Sequence, residues 1–237
     1  MAVNSWSYSK LTDFEKCKFL FWLKHDQRIP EPERPLPIGK TEHANDRGTR
    51  VHQSCEDYVR GDSDILVPEA EKHFGPQLDL MRVLHDRGEV SLEGEWGFDK
   101  DWNPTDWRTA WLRMKLDAVV FLSPTEAIAI DYKTGRKHGN EIKHGEQLAL
   151  YQLAMFLRFP KLETVYAQLW YLDQPDNNVT ENVYTREKGL GFRYRFDKRG
   201  RAVTSCTEFP PNPNIFSCQW CQYGPWNGGQ CQKGVRK

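Results

Sequence analysis

A mixed α/β core is predicted by three features of this sequence. Two segments, Ser7–His25 and Glu141–Phe159, carry apolar residues at helical spacing. Two β-patterned runs, Trp111–Phe121 and Ala127–Ile130, flank a Ser123-Pro124 turn and read as a hairpin. A further β run, Val165–Leu172, follows the second helical segment, so helices, hairpin, helix and strand succeed one another.

The elements follow in order. Leu11, Phe14, Phe19, Phe21, Trp22 and Leu23 give the first helix its apolar positions, and Ser7 or Ser9 can cap it. Ile29–Pro37 holds four prolines and reads as an extended linker. Helices are expected over Gly48–Arg60 and Glu69–Arg87, the second broken or bent at Gly75-Pro76. Val90–Trp96 alternates as a half-buried strand, and the polar stretch Trp102–Trp107 connects it to the hairpin. Leu148, Tyr151, Met155 and Phe156 mark one face of the helix that follows, and Val179–Tyr184 is a candidate last strand. There is no internal repeat.

Composition narrows the function classes. The chain has 237 residues, with 33 basic and 33 acidic side chains and a formal net charge of zero. A whole-chain polycation that grips nucleic acid by bulk charge is therefore excluded. Aromatic residues make up 13% of the chain, which argues against extensive disorder. No run of about 18 apolar residues suggests a membrane span. No basic start followed by an apolar stretch suggests export. A reducing, cytoplasmic setting is thus expected, where clustered cysteines more often bind metal than form disulfides.

The chemistry-bearing residues cluster around the hairpin. Asp117 lies in its first strand, and Asp131 and Lys133 end its second. Residues two apart on a strand share a face, so Lys133 accompanies Asp131. Paired carboxylates suit a hard divalent cation, and a neighbouring lysine suits an attacking water or a charged phosphate. The same three residues also suit a plain strand-end ion pair. Upstream, His52 lies in a helix with Gly48 one turn before it. Downstream, Gln147 and Tyr151 share a helical face. Taken singly, each of these also reads as ordinary packing.

In order, Gly48-x-x-x-His52, Met114-Lys-Leu-Asp117, Ile130-Asp-Tyr-Lys133-Thr-Gly and Gln147-x-x-x-Tyr151 resemble the successive motifs of the RecB-like branch of the PD-(D/E)xK nuclease superfamily. The likeness covers most of the chain. It implies a restriction-endonuclease-like core, a mixed sheet flanked by helices, with the N- and C-terminal segments joined at a cysteine cluster. It also implies a single domain over 1–237, with a helical part at 1–88, a catalytic core at 89–185 and a cysteine-bearing part at 186–237. Mg²⁺ or Mn²⁺ would be held by His52, Asp117, Asp131 and the backbone carbonyl of Ile130. Lys133 would be the catalytic lysine, with Gln147 and Tyr151 supporting the site and the DNA. Lys115 stands where such nucleases often carry glycine.

Cys218-Gln-Trp-Cys221 and Cys231 put three thiols near the C-terminus. Their spacing admits an iron–sulfur cluster, zinc or free thiols. The run Ser7–Cys17 resembles the first helix of iron–sulfur RecB-like nucleases, the CRISPR-associated and AddB types. That likeness implies a 4Fe–4S cluster on Cys17, Cys218, Cys221 and Cys231. Cys55 and Cys206 read as ordinary cysteines, with Cys206 a substitute ligand.

Aromatic and basic residues interleave over Gly191–Arg201, where Arg193 and Arg195 are candidate phosphate contacts; a helix or strand with one packed face fits equally. Arg136 and Lys137, just after Lys133, are better placed for DNA. The leading expectation is a metal-dependent DNA exonuclease acting on ends or single strands in recombination, repair, or phage or CRISPR DNA processing. With no Walker motif, unwinding would fall to a helicase partner, and a recombinase or CRISPR integration partner is also conceivable. The alternatives are a non-catalytic DNA-binding or assembly module of the same fold, and an iron–sulfur redox-responsive DNA-binding protein.

Overall fold

A computed structural model describes every residue except Met1, Ala2, Arg136, His138, Asn140 and Lys237. Six strands form one sheet in the order β2-β1-β3-β4-β5-β6. They are β1 (Val90–Phe98), β2 (Pro104–Thr105), β3 (Leu112–Ser123), β4 (Glu126–Lys133), β5 (Thr164–Tyr171) and β6 (Val179–Thr185). Every pairing is antiparallel except β4 with β5. Parallel neighbours need a crossover, which α5 (Glu141–Arg158) supplies.

Side-chain alternation on the central strand sorts two apolar layers. Ala127 and Ala129 face α5, where they join Val165, Ala167 and Leu169 of β5 against Leu148, Tyr151 and Met155. The small alanines let the helix sit close to the sheet. Ile128, Ile130 and Tyr132 point the other way, toward α3 (Ala44–Arg60) and α4 (Pro68–Asp86), meeting Val51, Cys55, Phe74 and Leu78. Helices thus cover both faces, so β4 reads as a nearly continuous apolar run.

The expected mixed sheet flanked by helices is therefore observed, and two of its helices differ in detail. The first helix is divided. Cys17 is extended (φ −164°, ψ 116°) between α1 (Tyr8–Lys16) and α2 (Lys18–Phe21), and a π-helical turn follows at Trp22–Asp26. The apolar spacing runs on across Cys17, so nothing in the pattern marks the break. By contrast, α4 continues unbroken through Pro76. Proline crowds the Cβ of the residue before it when that residue is helical, and Gly75 has none. The interleaved stretch after β6 forms α6 (Arg186–Gly191) and α7 (Arg193–Thr204).

Helix α7 is fastened to the N-terminal segment. Gly200 packs against Trp6 and Trp111, with no room for a side chain. Those two rings and Trp102 meet edge-to-face at 5.5–6.3 Å between centroids. The indole N–H groups of Trp102 and Trp111 donate to Asp197 and Thr204 of α7, each at 3.0 Å. Farther along, the C-terminal segment packs Tyr223 on Leu20 and Leu23, and its hydroxyl donates to the Ile29 carbonyl at 2.7 Å.

Candidate active site

Four elements converge at the end of the hairpin. The last registered β3–β4 pair is Ala118 with Ile130. Beyond it the Asp117 side chain takes over the pairing: its Oδ2 accepts the Tyr132 backbone N–H at 2.5 Å. The other oxygen, Oδ1, lies 3.0 Å from His52 Nδ1 on α3. The strand end thus presents one carboxylate toward α3 while Asp131, on β4, turns toward α5.

Asp131 is buried and enclosed by partners. Its Oδ1 accepts the Tyr151 hydroxyl at 2.6 Å and Gln147 Nε2 at 3.1 Å. Its Oδ2 pairs with Lys133 Nζ at 2.5 Å. Lys133 also donates to Gln147 Oε1 at 3.1 Å, and Gln147 Nε2 donates to the Tyr151 oxygen at 2.5 Å. One amide thereby holds both the lysine and the carboxylate, and the i, i+4 spacing of Gln147 and Tyr151 is what aims both at Asp131.

The charges perturb one another. Burial pushes the Asp117 carboxyl above its usual range, and the nearby Asp131 charge adds to this against the pull of His52. Burial alone would lower the His52 pKa, but the hydrogen bond to Asp117 and the charges of Asp117 and Asp131 outweigh it and hold it up. Burial, then Asp131, holds the Tyr151 phenol well above its ordinary value, so it remains a donor.

Two carboxylates and an imidazole form a donor set that fits a hard divalent cation, and the repulsion felt at Asp117 is what a dication would relieve. In the arrangement described the carboxylate oxygens face protein donors. Among the described residues no three His, Cys, Asp or Glu side chains are grouped closely enough to hold one ion.

Sequence reasoning missed the brace behind His52. Arg47 donates to the Thr134 carbonyl at 3.1 Å and to both oxygens of Asp173, at 2.8 and 2.6 Å, tying α3 to the ends of β4 and β5. Gly48, next to it, faces the Thr134 hydroxyl. An arginine and an aspartate 126 positions apart leave no local pattern to find them by.

The candidate DNA contacts fare differently. Arg136 lies outside the described residues. Lys137 donates to the Asn177 carbonyl at 3.3 Å. Arg193 donates to the Asp101 carbonyl at 2.7 Å, and Arg195 is ion-paired with Glu146. The buried side of α7 is Phe196, Gly200 and Val203, so the interleaving is that of an amphipathic helix.

Cys17, Cys218, Cys221 and Cys231 line one small cavity together with Leu20, Leu23 and Tyr223. Two of the sulfurs accept backbone N–H groups at 3.4 Å, Cys17 from Asn212 and Cys218 from Asn214. The break in the first helix falls at this cavity. Cys55 lies instead in the α3–α4 layer, and Cys206 borders the α5 layer.

A family model described as the PD-(D/E)XK nuclease superfamily matches residues 5–226. Among solved structures, a protein named SSO0001 is similar at 13% identity and TM-score 0.43, over 93% of this chain and 84% of its own. A protein from Eubacterium rectale named "Putative exonuclease" is similar at 12% identity and TM-score 0.46, over 99% of this chain and 91% of its own. No curated protein matches the chain.

Proposed function

The chain belongs to the PD-(D/E)XK nuclease superfamily, and from that premise we propose that it is a metal-dependent DNA exonuclease of the RecB-like branch, folded as a single domain over 1–237. The observation that carries this reading is the Asp131–Lys133 pair, held at 2.5 Å beside Asp117 and His52. In this reading His52, Asp117, Asp131 and the Ile130 carbonyl hold Mg²⁺ or Mn²⁺. When bound, such an ion polarises the phosphate and makes a hydroxide nucleophile accessible near neutral pH. Lys133 places its ammonium beside the reacting phosphate, where it stabilises the charge that develops during in-line attack. Gln147 fixes the Lys133 amine and the Asp131 carboxylate relative to each other. Tyr151 contributes a hydroxyl proton to Asp131 and keeps that carboxylate oriented. Lys137 and Arg136 follow the site in sequence, and with Arg193 and Arg195 they remain candidate DNA contacts.

For the cysteine end the reading is a 4Fe–4S cluster on Cys17, Cys218, Cys221 and Cys231, with zinc as the alternative. Thiolate ligands suit either group. Protein purified without oxygen should be brown. Colourless protein with stoichiometric zinc overturns the cluster.

The function is tested with end-labelled linear and single-stranded DNA carrying blocked 5′ or 3′ ends, in Mn²⁺ and in EDTA. Nucleotide release in Mn²⁺ alone is expected, and the tolerated blocked end gives the polarity. DNA that is bound but not degraded in Mn²⁺ identifies the non-catalytic module instead. Release that follows the redox state of the cysteine end, rather than the added metal, identifies the redox-responsive protein.

A further inference from the structure

Two open grooves flank the Asp131–Lys133 centre, and their charge differs. The first, about 750 Å³, carries Lys40, Arg47 and Arg50 against Glu42, Glu69 and Asp173. Arg50 pairs with Glu42 at 2.6 Å and Glu69 at 2.9 Å, and Arg47 pairs with Asp173 at 2.6 Å. Both arginines are already answered, and its three cations face three carboxylates, so an incoming anion meets little net attraction.

The second groove, about 570 Å³, opens directly onto Gln147 and Tyr151. Its other walls are the start of α1 (Ser7, Ser9, Lys10), Arg113 and Lys115 of β3, and Trp107. Lys115 pairs with Glu95. Lys10 donates only to Ser5, through the carbonyl at 3.1 Å and the hydroxyl at 3.4 Å. Arg113 donates to the Arg108 carbonyl at 2.9 Å, and its buried Nε has no partner. Among the described residues neither Lys10 nor Arg113 has a carboxylate partner. Both line this groove, and after burial the charge of Arg113, then that of Arg28, holds the Lys10 ammonium below its usual pKa. The Arg113 guanidinium also lies 5.5 Å from the Trp107 ring centroid.

Two unanswered, partly desolvated cations are a site for a diester phosphate, and an aromatic ring in the same groove is a platform for an unpaired base. We propose that this groove takes the nucleotide next to the scissile phosphate of a single DNA strand, with its backbone phosphate between Lys10 and Arg113 and its base against Trp107. The assignment rests on the nuclease reading for its direction toward Asp131, but the binding it describes is measured without hydrolysis. A base stacked between neighbours within a duplex offers no free face to Trp107, so the groove favours an unpaired strand over the interior of a duplex.

The test is fluorescence anisotropy of a labelled single-stranded oligonucleotide of about twelve nucleotides, in Ca²⁺, across a salt series. Trp107→Ala is expected to weaken binding by roughly 5- to 150-fold, and Trp107→Phe to retain most of it. Lys10→Gln should lower the slope of log affinity against log salt by about 0.7, and Lys10→Arg should restore it. Arg50→Ala, in the balanced groove, should leave both unchanged. In Mn²⁺, wild type should also cleave a small phosphodiester such as bis(p-nitrophenyl) phosphate, which occupies only the reacting centre. Wild-type affinity and salt slope in both Trp107→Ala and Lys10→Gln overturn the inference while leaving the nuclease reading intact. A wild type that binds the oligonucleotide but cleaves neither substrate overturns the nuclease reading instead, and the anisotropy results still decide the groove.

Discussion

The acidic centre and the cysteine end are both assembled from distant segments, but they are held in different ways. At the acidic centre the protein itself holds the titratable groups: Asp131 Oδ1 accepts two side-chain hydrogen bonds while its buried Oδ2 has only the Lys133 ion pair, Asp117 meets His52 and a backbone N–H, and Arg47 braces the helix behind His52. At the cysteine end two sulfurs receive only weak backbone donors, and the packing beneath is a small group around Leu20, Leu23 and Tyr223. The first region is pre-organised by hydrogen bonds within the fold. In the proposed reading, the second owes much of its order to what its thiols hold.

Perturbing each region in turn tests that contrast. The largest effect is expected from Lys133→Ala or Asp131→Ala, which should cut DNA hydrolysis by roughly 10²- to 10⁴-fold. The thermal midpoint should scarcely move, because β4 is anchored by apolar residues on both faces. Undiminished hydrolysis removes the proposed site, and a collapsed fold breaks the contrast. Next is Cys17→Ser. In the proposed reading this removes one ligand of a group that joins the chain ends, which should lower Tm by roughly 5–10 °C and expose the last thirty or so residues to protease. A Tm equal to wild type would show that the thiols hold nothing of structural weight. Gln147→Ala should reduce kcat/KM by about tenfold, since it removes the amide's contacts to Lys133 and Asp131 while leaving the ion pair between those two. The smallest effect is a silence. Burial pushes the Cys55 thiol up to about 12, so at pH 8 it stays protonated and an alkylating reagent should leave it unlabelled in the native protein. Rapid labelling there would show that the α3–α4 layer opens readily.

Much of this was legible in the sequence, for physical reasons. The hairpin and α5 announce themselves because each buries a fixed face, and burial writes a period into the residues. Those same periods place Asp131 with Lys133 and Gln147 with Tyr151. Contacts without a period were hidden. Arg47 with Asp173, and α7 with Trp6, Trp102 and Trp111, join segments that only the fold makes neighbours. The arginines of α7 looked like a nucleic-acid stripe because basic residues on a solvated helix face and basic residues on a DNA groove leave the same composition. Only the observed partners of Arg193 and Arg195 show how they are used within the chain. Cys17 was legible as a ligand candidate but not as a hinge, since the apolar spacing of α1 and α2 runs straight across it.

The parting of β3 and β4 at Ala118 and Ile130 leaves the Tyr132 amide bound to a carboxylate where a ladder would offer a carbonyl. A carbonyl keeps its charge under all conditions, but a carboxylate does not. That single nitrogen is therefore a native sensor of the centre. Its proton chemical shift and its exchange with solvent will register protonation or recruitment of Asp117, so one backbone resonance reads out the electrostatic state of the site without a label and without turnover.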